Sequence, residues 1–186
     1  RTQLEAACTV RRIVKARIYD SDFDKAKTFA KELAGQGSIP RDLMTVTTAQ
    51  EAVADADIIC TATTSTTPVF SDDDLKPGVH ISAIGSYTPE MQEVSAETIR
   101  RAKVVVDSRS AVLAESGDLI QPMRRGLITA AHVFAELGEI ILGKKPGRQS
   151  STEVTYFKSV GVAVQDAIAA QLALKNAIQK KLGQEI

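Results

Sequence analysis

The chain has 186 residues, enough for one domain, and its 44% hydrophobic and 25% charged content is typical of a folded globular protein. The formal net charge is zero, which argues against nonspecific nucleic-acid binding because such binding needs a positive field. No apolar run approaches the roughly 20 residues of a membrane span, so no membrane association is expected. The two cysteines, Cys8 and Cys60, lie far apart in apolar surroundings. We therefore expect buried, reduced thiols and a cytoplasmic protein rather than a disulfide framework.

The hydrophobic pattern predicts short strands that alternate with helices along most of the chain. In chain order, it predicts a helix over residues 1–12, a strand over 14–19, a helix over 23–34, a strand over 44–47, a helix over 49–54, a strand over 57–61, a helical turn over 71–75, a strand over 79–84, a helix over 95–101, a strand over 103–107, a helical segment from 111 to 115, a helix over 133–142, a strand or turn over 155–160 and a long helix over 162–182. This alternation favours the α/β class with a wound parallel sheet.

The predicted sheet is incomplete at its start. A dinucleotide-binding sheet begins with a strand and a glycine-rich turn, and the helix that follows directs its N-terminus at the pyrophosphate. This chain begins inside a helix of that kind, so we expect the first strand and its glycines to lie upstream of Arg1.

Asp20 ends a predicted strand and precedes a predicted helix. Nucleotide-binding folds place a carboxylate at this point, where it accepts hydrogen bonds from the adenosine ribose hydroxyls. A carboxylate there also repels a 2′-phosphate and favours NAD over NADP, whereas the hydroxyl of Ser21 could tolerate a phosphate. The alternative for Asp20 is a helix N-cap, which any Asp before a helix can form. Both interpretations remain open at this point.

Two further strands end in small or polar residues, which predicts a ligand site at one edge of the sheet. Thr61, Ala62 and Thr63 end the first of these strands, and Ile84-Gly85-Ser86 ends the next. The carboxyl ends of parallel strands are where ligands bind in open α/β sheets. We expect the threonine segment to let a cofactor approach the backbone and Gly85 to permit close approach of a flat ring. The alternatives are a solvated Ser/Thr-rich loop and an ordinary turn glycine.

The remaining titratable residues form no catalytic pattern. His80 and His132 have no serine or cysteine arranged with them as a triad, so structural roles are expected for both. Glu136 and Glu139 are predicted to lie on one face of a helix and to be solvated or salt-bridged. The sequence contains neither an HExxH nor a CxxC spacing, so no metal site is predicted.

Short motifs occur in a characteristic order along nearly the whole chain. They are Arg1-Thr2-Gln3-Leu4-Glu5-Ala6, Tyr19-Asp20, Thr61-Ala62-Thr63, Ala83-Ile84-Gly85, Val105-Val106-Asp107, Ala135-Glu136-Leu137-Gly138-Glu139, Lys145-Pro146-Gly147-Arg148, Phe157-Lys158-Ser159-Val160-Gly161 and Gln165-Asp166. Taken together, the motifs resemble the ornithine cyclodeaminase and mu-crystallin family. Members of this family are NAD(P)-dependent and combine a Rossmann-type domain with a dimerisation and substrate domain formed mostly by the N-terminal portion.

The resemblance implies a Rossmann-type fold, NAD as cofactor with NADP possible, and a homodimer of the full-length protein. It implies that residues 1–150 form a partial NAD(P)-binding domain and that residues 151–186 return toward an absent N-terminal domain. That domain would supply the Arg and Lys that hold the substrate carboxylate, so the fragment alone is expected to be inactive. The resemblance also implies that Ser159 and Gly161 lie near the nicotinamide carboxamide, and that Ile84, Gly85 and Ser86 contact the cofactor.

Tyr87 departs from the family pattern. Members that deaminate ornithine carry an Asp at the matching position, and a phenol supplies no carboxylate near neutral pH. We therefore predict an oxidoreductase that transfers a hydride to the imine carbon of a pyrroline- or piperideine-2-carboxylate, with Tyr87 lining the substrate pocket. The alternatives are an ornithine cyclodeaminase, an alanine dehydrogenase-like enzyme acting on an amino acid, and a non-catalytic NAD(P)-binding protein of the mu-crystallin kind.

Overall fold

The computed structural model describes residues 1–184, in which strands and helices alternate. The strands are β1 (Ala16–Ile18), β2 (Leu43–Thr45), β3 (Ile58–Thr61), β4 (His80–Ala83), β5 (Lys103–Val106), β6 (Val133–Glu136) and β7 (Thr155–Lys158). The helices are α1 (Thr2–Val10), α2 (Phe23–Leu33), α3 (Ala49–Val53), α4 (Ala96–Arg101), α5 (Arg109–Glu115), α6 (Gly117–Arg124), α7 (Leu137–Ile141) and α8 (Ala163–Lys180), with 3₁₀ turns at Asp72–Asp74 and Ala130–His132.

All the strand pairs are parallel, which confirms the predicted α/β class and its Rossmann-type wound sheet. β1 pairs with β2, and the other strands form a second sheet in the order β3-β4-β7-β5-β6. Within residues 1–184, these two sheets are not hydrogen-bonded to each other. In the larger sheet, Thr61 lies opposite Ala83, and Lys158 lies opposite both Ala83 and Val106. The carboxyl ends of four neighbouring strands therefore lie along one edge.

The main core lies on the two faces of the larger sheet. Ile81, Val104, Val106 and Tyr156 are fully buried at its centre. The run Val104–Val106 is buried without interruption, as expected for a parallel strand covered on both faces. A separate small cluster of Cys8, Leu33 and Ile39 packs the smaller sheet against its helices.

One predicted helix is wrong in its first half. Residues 133–142 form the edge strand β6 followed by the short helix α7. Alanine, glutamate and leucine favour a helix locally, but Val133 and Ala135 alternate inward while the strand pairs with β5. The helix α6 was not predicted, because Gly117 and Pro122 lie inside it.

The predicted domain boundary at residue 150 lies just before β7. β7 pairs with both β4 and β5, so residues 155–158 lie at the centre of the larger sheet and form a strand rather than a turn. The larger sheet therefore includes residues up to Lys158, and α8 follows it along the chain. This helix leaves large apolar side chains exposed along its length: Val164, Ile168, Leu172, Leu174 and Ile178.

The expectation of two buried thiols holds for Cys8 only. Cys60 is exposed because side chains alternate along β3, so Ile59 and Thr61 take the covered face and Cys60 takes the other. Over residues 1–184, no helix has both the length and the apolar character needed to cross a bilayer.

Candidate functional site

A cleft of about 490 Å³, called here the edge cleft, opens at the carboxyl edge of the larger sheet. Open α/β sheets bind their ligands at this edge. The ends of β4 and β7, the loop after β4, and the first turns of α1, α7 and α8 form its walls. The lining residues are Gln3, Ile84, Tyr87, Leu137, Phe157, Ser159, Val160, Gly161 and Gln165.

The edge cleft brings together part of the predicted site. Ile84, Tyr87, Ser159 and Gly161 line it. The other predicted residues lie outside its lining: Asp20, Ser21, Thr61, Ala62, Thr63, Gly85 and Ser86.

The ends of β3 and β4 emerge side by side, as the sequence predicts. Ile84 N donates a 2.9 Å hydrogen bond to the carbonyl of Thr61, which continues the sheet ladder past the last paired residues. We call residues 61–63 and 84–85 the two strand ends. Ala62 and Thr63 are exposed there, whereas Thr61 is buried with 5% of its surface accessible.

Glu93 joins the two strand ends and is fully buried. Its Oε2 accepts hydrogen bonds from Thr61 Oγ1 at 2.8 Å and from Gly85 N at 2.7 Å. Its Oε1 accepts one from Thr63 N at 2.6 Å. Sequence reasoning missed this residue. Met91-Gln92-Glu93-Val94 carries no motif, and a buried carboxylate is recognisable only once its partners are known.

Position 85 requires glycine for a different reason from the predicted one. A Cβ on Gly85 would lie 2.1 Å from the carbonyl oxygen of Thr63 and 2.4 Å from Glu93 Oε1. Real Cβ atoms do not approach other atoms so closely, so the protein's own packing requires glycine here. The predicted reason was space for a ligand ring.

Ser86 is also placed differently from the prediction. It is fully buried, its hydroxyl donates to the carbonyl of Met91 at 2.8 Å, and it accepts from Asp118 N at 3.1 Å. The side chain therefore holds the loop after β4 onto α6 and does not face the edge cleft. The expectation that Ser86 contacts the cofactor stays a prediction.

Beneath Glu93 lies a second buried carboxylate, Asp118. Its Oδ1 accepts from Glu93 N at 2.7 Å and from Val94 N at 3.1 Å, and its Oδ2 accepts from Tyr156 Oη at 2.9 Å. Burial raises the pKa of Asp118, although the nearby Lys158 acts in the opposite direction.

Lys158 is the cation that faces these carboxylates. Its Nζ lies 3.8 Å from Asp118 Oδ2, is fully buried, and has no hydrogen-bond partner within residues 1–184. Burial lowers the pKa of Lys158 against the opposing effect of Asp118, Glu93 and Asp107. Charges of both signs therefore lie directly below the sheet edge.

A third carboxylate, Asp107, organises the opposite wall of the edge cleft. Its Oδ2 accepts hydrogen bonds from Ser159 Oγ at 2.7 Å, Val160 N at 3.0 Å and Gly161 N at 2.9 Å. Gly161 has a φ of 91°, in the left-handed region that favours glycine. The loop after β7 is thereby folded around one carboxylate at the end of β5.

Asp20 and Ser21 lie exposed at the end of β1. The N-cap of α2 is Asp22, which accepts from Asp24 N and Lys25 N. Asp20 instead accepts from Asp22 N through Oδ1 at 2.8 Å. Another residue therefore caps α2, and ribose binding by the Asp20 carboxylate stays a prediction.

The histidines have partners within the fold, as expected for structural residues. His80 Nδ1 lies 2.8 Å from Thr155 Oγ1, and His132 Nε2 lies 2.9 Å from the carbonyl of Ile99. Burial lowers the pKa of His80.

Glu136 is not simply solvated, since its Oε1 accepts a hydrogen bond from Arg109 N at 2.7 Å.

Comparison with known proteins identifies the family. The sequence model of the ornithine cyclodeaminase/mu-crystallin family matches residues 1–181. The chain belongs to this family. The resemblance read from the ordered motifs is thereby confirmed over nearly the full chain.

Individual members of the family resemble the chain closely. The Delta(1)-pyrroline-2-carboxylate reductase of Bacillus cereus (strain ZK / E33L) is 45% identical over 183 residues, which are 98% of this chain and 55% of that protein. The structure of the Thermococcus litoralis Delta(1)-pyrroline-2-carboxylate reductase in complex with NADH and L-proline matches with a TM-score of 0.95 and 43% identity, over 100% of this chain and 57% of that one. An archaeal alanine dehydrogenase dimer with bound NAD matches with a TM-score of 0.91 and 35% identity, over 99% and 56%. The chain thus spans about half the length of these relatives.

Proposed function

We propose that the chain is the cofactor-binding part of an NAD(P)-dependent reductase that acts on a cyclic imino acid of the pyrroline- or piperideine-2-carboxylate type. The observation that carries the proposal is the edge cleft, formed where parallel strands end. The similarity to two enzymes named Delta(1)-pyrroline-2-carboxylate reductase supports the substrate class.

The lining of the edge cleft suits a flat ring that carries an amide. Ile84, Leu137, Phe157 and Val160 supply apolar surface, and the polar side chains of Gln3, Tyr87, Ser159 and Gln165 lie beside it. When bound, NADH supplies the hydride for the imine carbon. The side chains of this chain would hold the ring against the acceptor carbon and exclude water from it.

The positions of several residues support the roles that we propose for them. Ser159 and the Gly161 backbone would contact the carboxamide, because Asp107 fixes both at the cleft wall. The exposed residues Ala62 and Thr63 would border the cofactor along the end of β3. Asp20 and Ser21 would bind the adenosine ribose, because the Asp20 carboxylate is exposed and does not cap α2.

Tyr87 would line the substrate side of the edge cleft. Its side chain is 51% exposed at the cleft mouth. A neutral phenol accepts an uncharged ring more readily than the distal ammonium of ornithine, which favours imine reduction over cyclodeamination.

The other parts of the proposal lie outside the described residues. The exposed apolar side chains of α8 support packing against a substrate and dimerisation domain beyond residues 1–186. We propose a homodimer, since the matched alanine dehydrogenase is a dimer. The cytoplasmic location expected from the sequence belongs to the same proposal, because a reductase of this kind needs a supply of reduced cofactor.

The test is an NADH oxidation assay on the full-length protein with each cyclic imine, and separately with ornithine or with alanine plus NAD. We expect NADH oxidation with an imine and no ammonia from ornithine. Ornithine converted to proline without net change in NADH would establish cyclodeaminase activity instead. NADH binding without turnover of any substrate would favour the binding-only alternative.

Tyr87→Phe serves as a companion variant, and we expect it to retain kcat if the phenol lines the pocket without donating a proton.

A further inference from the structure

We infer that Glu93 is a positioning residue of the cofactor site, which holds the two strand ends in the geometry that binds NADH. The inference rests on the proposed function, because the strand ends matter for affinity only if the cofactor binds against them. Glu93 itself does not line the edge cleft and would act only through its neighbours.

Within residues 1–184, the carboxylate of Glu93 forms hydrogen bonds only with the two strand ends. Oε2 bridges Thr61 Oγ1 and Gly85 N, and Oε1 binds Thr63 N. These partners adjoin the exposed Ala62 on one side and the cleft residue Ile84 on the other. One fully buried side chain therefore sets the spacing between two backbone segments that would face the same ligand.

The backbone of Glu93 is fixed independently of its side chain. Glu93 N donates to Asp118 Oδ1, and its carbonyl accepts from Val69 N at 2.9 Å. Asp118 is held in turn by Tyr156 Oη. The carboxylate is thus presented to the strand ends from a rigid support, and a change at its oxygens alters the strand ends rather than the Glu93 backbone.

A carboxylate is required because both of its oxygens accept hydrogen bonds from backbone N–H groups. Glutamine has one acceptor oxygen and one NH₂ group, which can only donate. In one orientation the NH₂ would face Thr63 N, and in the other it would face Gly85 N. Either way, one backbone donor at a strand end loses its partner. The strand ends are also tightly packed at this point, because Thr63 and Glu93 fill the space that a Cβ on Gly85 would occupy.

The test is Glu93→Gln in the full-length protein, read by NADH titration, steady-state kinetics and amide hydrogen exchange without cofactor. We expect faster exchange at Thr63 or Gly85 and a rise in the NADH Kd of about tenfold to a hundredfold, the range for a lost hydrogen bond to a charged group. The KM for NADH should rise more than kcat falls, because the residue shapes binding and does not touch the reacting atoms.

Ile99→Val is the matched control. Ile99 is fully buried on α4, and its side chain belongs to the hydrophobic core rather than to the Glu93 network. The Ile99→Val substitution lowers stability because the side chain becomes smaller. We expect it to leave the NADH Kd and the amide exchange at Thr63 and Gly85 unchanged. An equal loss of NADH affinity in both variants would reduce Glu93 to a general stabilising residue and overturn the inference.

Thr61 provides a second, milder probe should Glu93→Gln fold poorly. Thr61→Val removes one donor to Glu93, and Thr61→Ser keeps it. We expect a higher NADH Kd in Thr61→Val than in Thr61→Ser. Unchanged NADH affinity in Thr61→Val would overturn the inference. Failure of the wild-type protein to bind NADH would instead contradict the proposed function, and exchange at Thr63 would still decide whether Glu93 holds the strand ends.

Discussion

Ser159 Oγ donates a 2.7 Å hydrogen bond to Asp107 Oδ2, which joins the ends of β7 and β5 at one wall of the edge cleft. The same oxygen accepts from Val160 N and Gly161 N, while Asp107 Oδ1 accepts from Ser108 N at 2.7 Å. Four donors therefore converge on one carboxylate. The conformation of the loop after β7 depends on the acceptor capacity of Asp107.

We expect Asp107→Asn to destabilise the full-length protein by about 1.5–3 kcal/mol, because the asparagine NH₂ must face at least one N–H donor. The loop that carries Ser159 and Gly161 would loosen, and NADH affinity would fall with it. Urea unfolding measures the first effect and fluorescence titration the second.

Asp57→Asn is the control for this change. Asp57 pairs with Lys76 at the surface, and its side chain is 89% exposed. We expect a change in unfolding free energy within about 0.5 kcal/mol. A loss as large as that of Asp107→Asn would show that neutralising a carboxylate, rather than unfolding the loop, causes the effect.

Replacing Asp20 with Ala should weaken NADH binding more than NADPH binding. The proposed ribose contact uses hydrogen bonds to a carboxylate, and its loss corresponds to about tenfold or more in Kd. The 2′-phosphate of NADPH would at the same time escape a nearby negative charge. Titration with both cofactors checks this, with Asp24→Ala in the first turn of α2 as a control. Equal losses for NADH and NADPH would remove the ribose assignment.

The parts of the fold that the sequence predicted are those with a local cause. The hydrophobic periods of strands and helices are set by residues within the elements themselves. The strand Val133–Glu136 escaped prediction because its cause is pairing with β5, some 30 positions away in the chain. The α-helical preference of Ala135 to Leu137 was real but weaker than that pairing.

The candidate site was predicted only where its residues face the edge. Ile84 follows a strand and could be placed by topology, whereas Tyr87, Ser159 and Gly161 were expected there from the family resemblance. Glu93 and Asp107 could not, because their partners are set by tertiary folding at sequence separations of 30 for Thr63 and 54 for Gly161. A carboxylate whose partners come from distant parts of the chain leaves no periodic or compositional signal in the sequence.

Gly85→Ala should destabilise the protein by about 1–3 kcal/mol or more, because the new methyl group would overlap the Thr63 carbonyl and Glu93. Gly138→Ala is its counterpart in α7, where a Cβ meets nothing within 4 Å. That change should instead stabilise by about 0.5–1 kcal/mol through helix propensity. Thermal and urea unfolding of both variants measure the contrast. Similar effects at the two positions would contradict the close packing at the strand ends.

Lys158 should make stability rise with pH on the alkaline side. Burial lowers its pKa in the folded protein below the unfolded value of about 10.4. Between these two values the unfolded chain binds more protons at this site than the folded one, so the free energy of unfolding increases with pH there. The slope is at most about 1.4 kcal/mol per pH unit for one group.

Lys158→Met removes this titration, so the unfolding free energy of the wild type minus that of the variant should grow from about pH 7 to about pH 10. Loss of the ammonium also leaves Asp118 without its opposing cation, which raises the pKa of Asp118 further and changes the difference in the same direction. Val106→Ala is the control, since Val106 lies opposite Lys158 in the sheet and carries no titrating group. Its difference from the wild type should stay constant across the same range. A constant difference for Lys158→Met as well, measured by urea unfolding at each pH, would show that the buried ammonium does not titrate in this window.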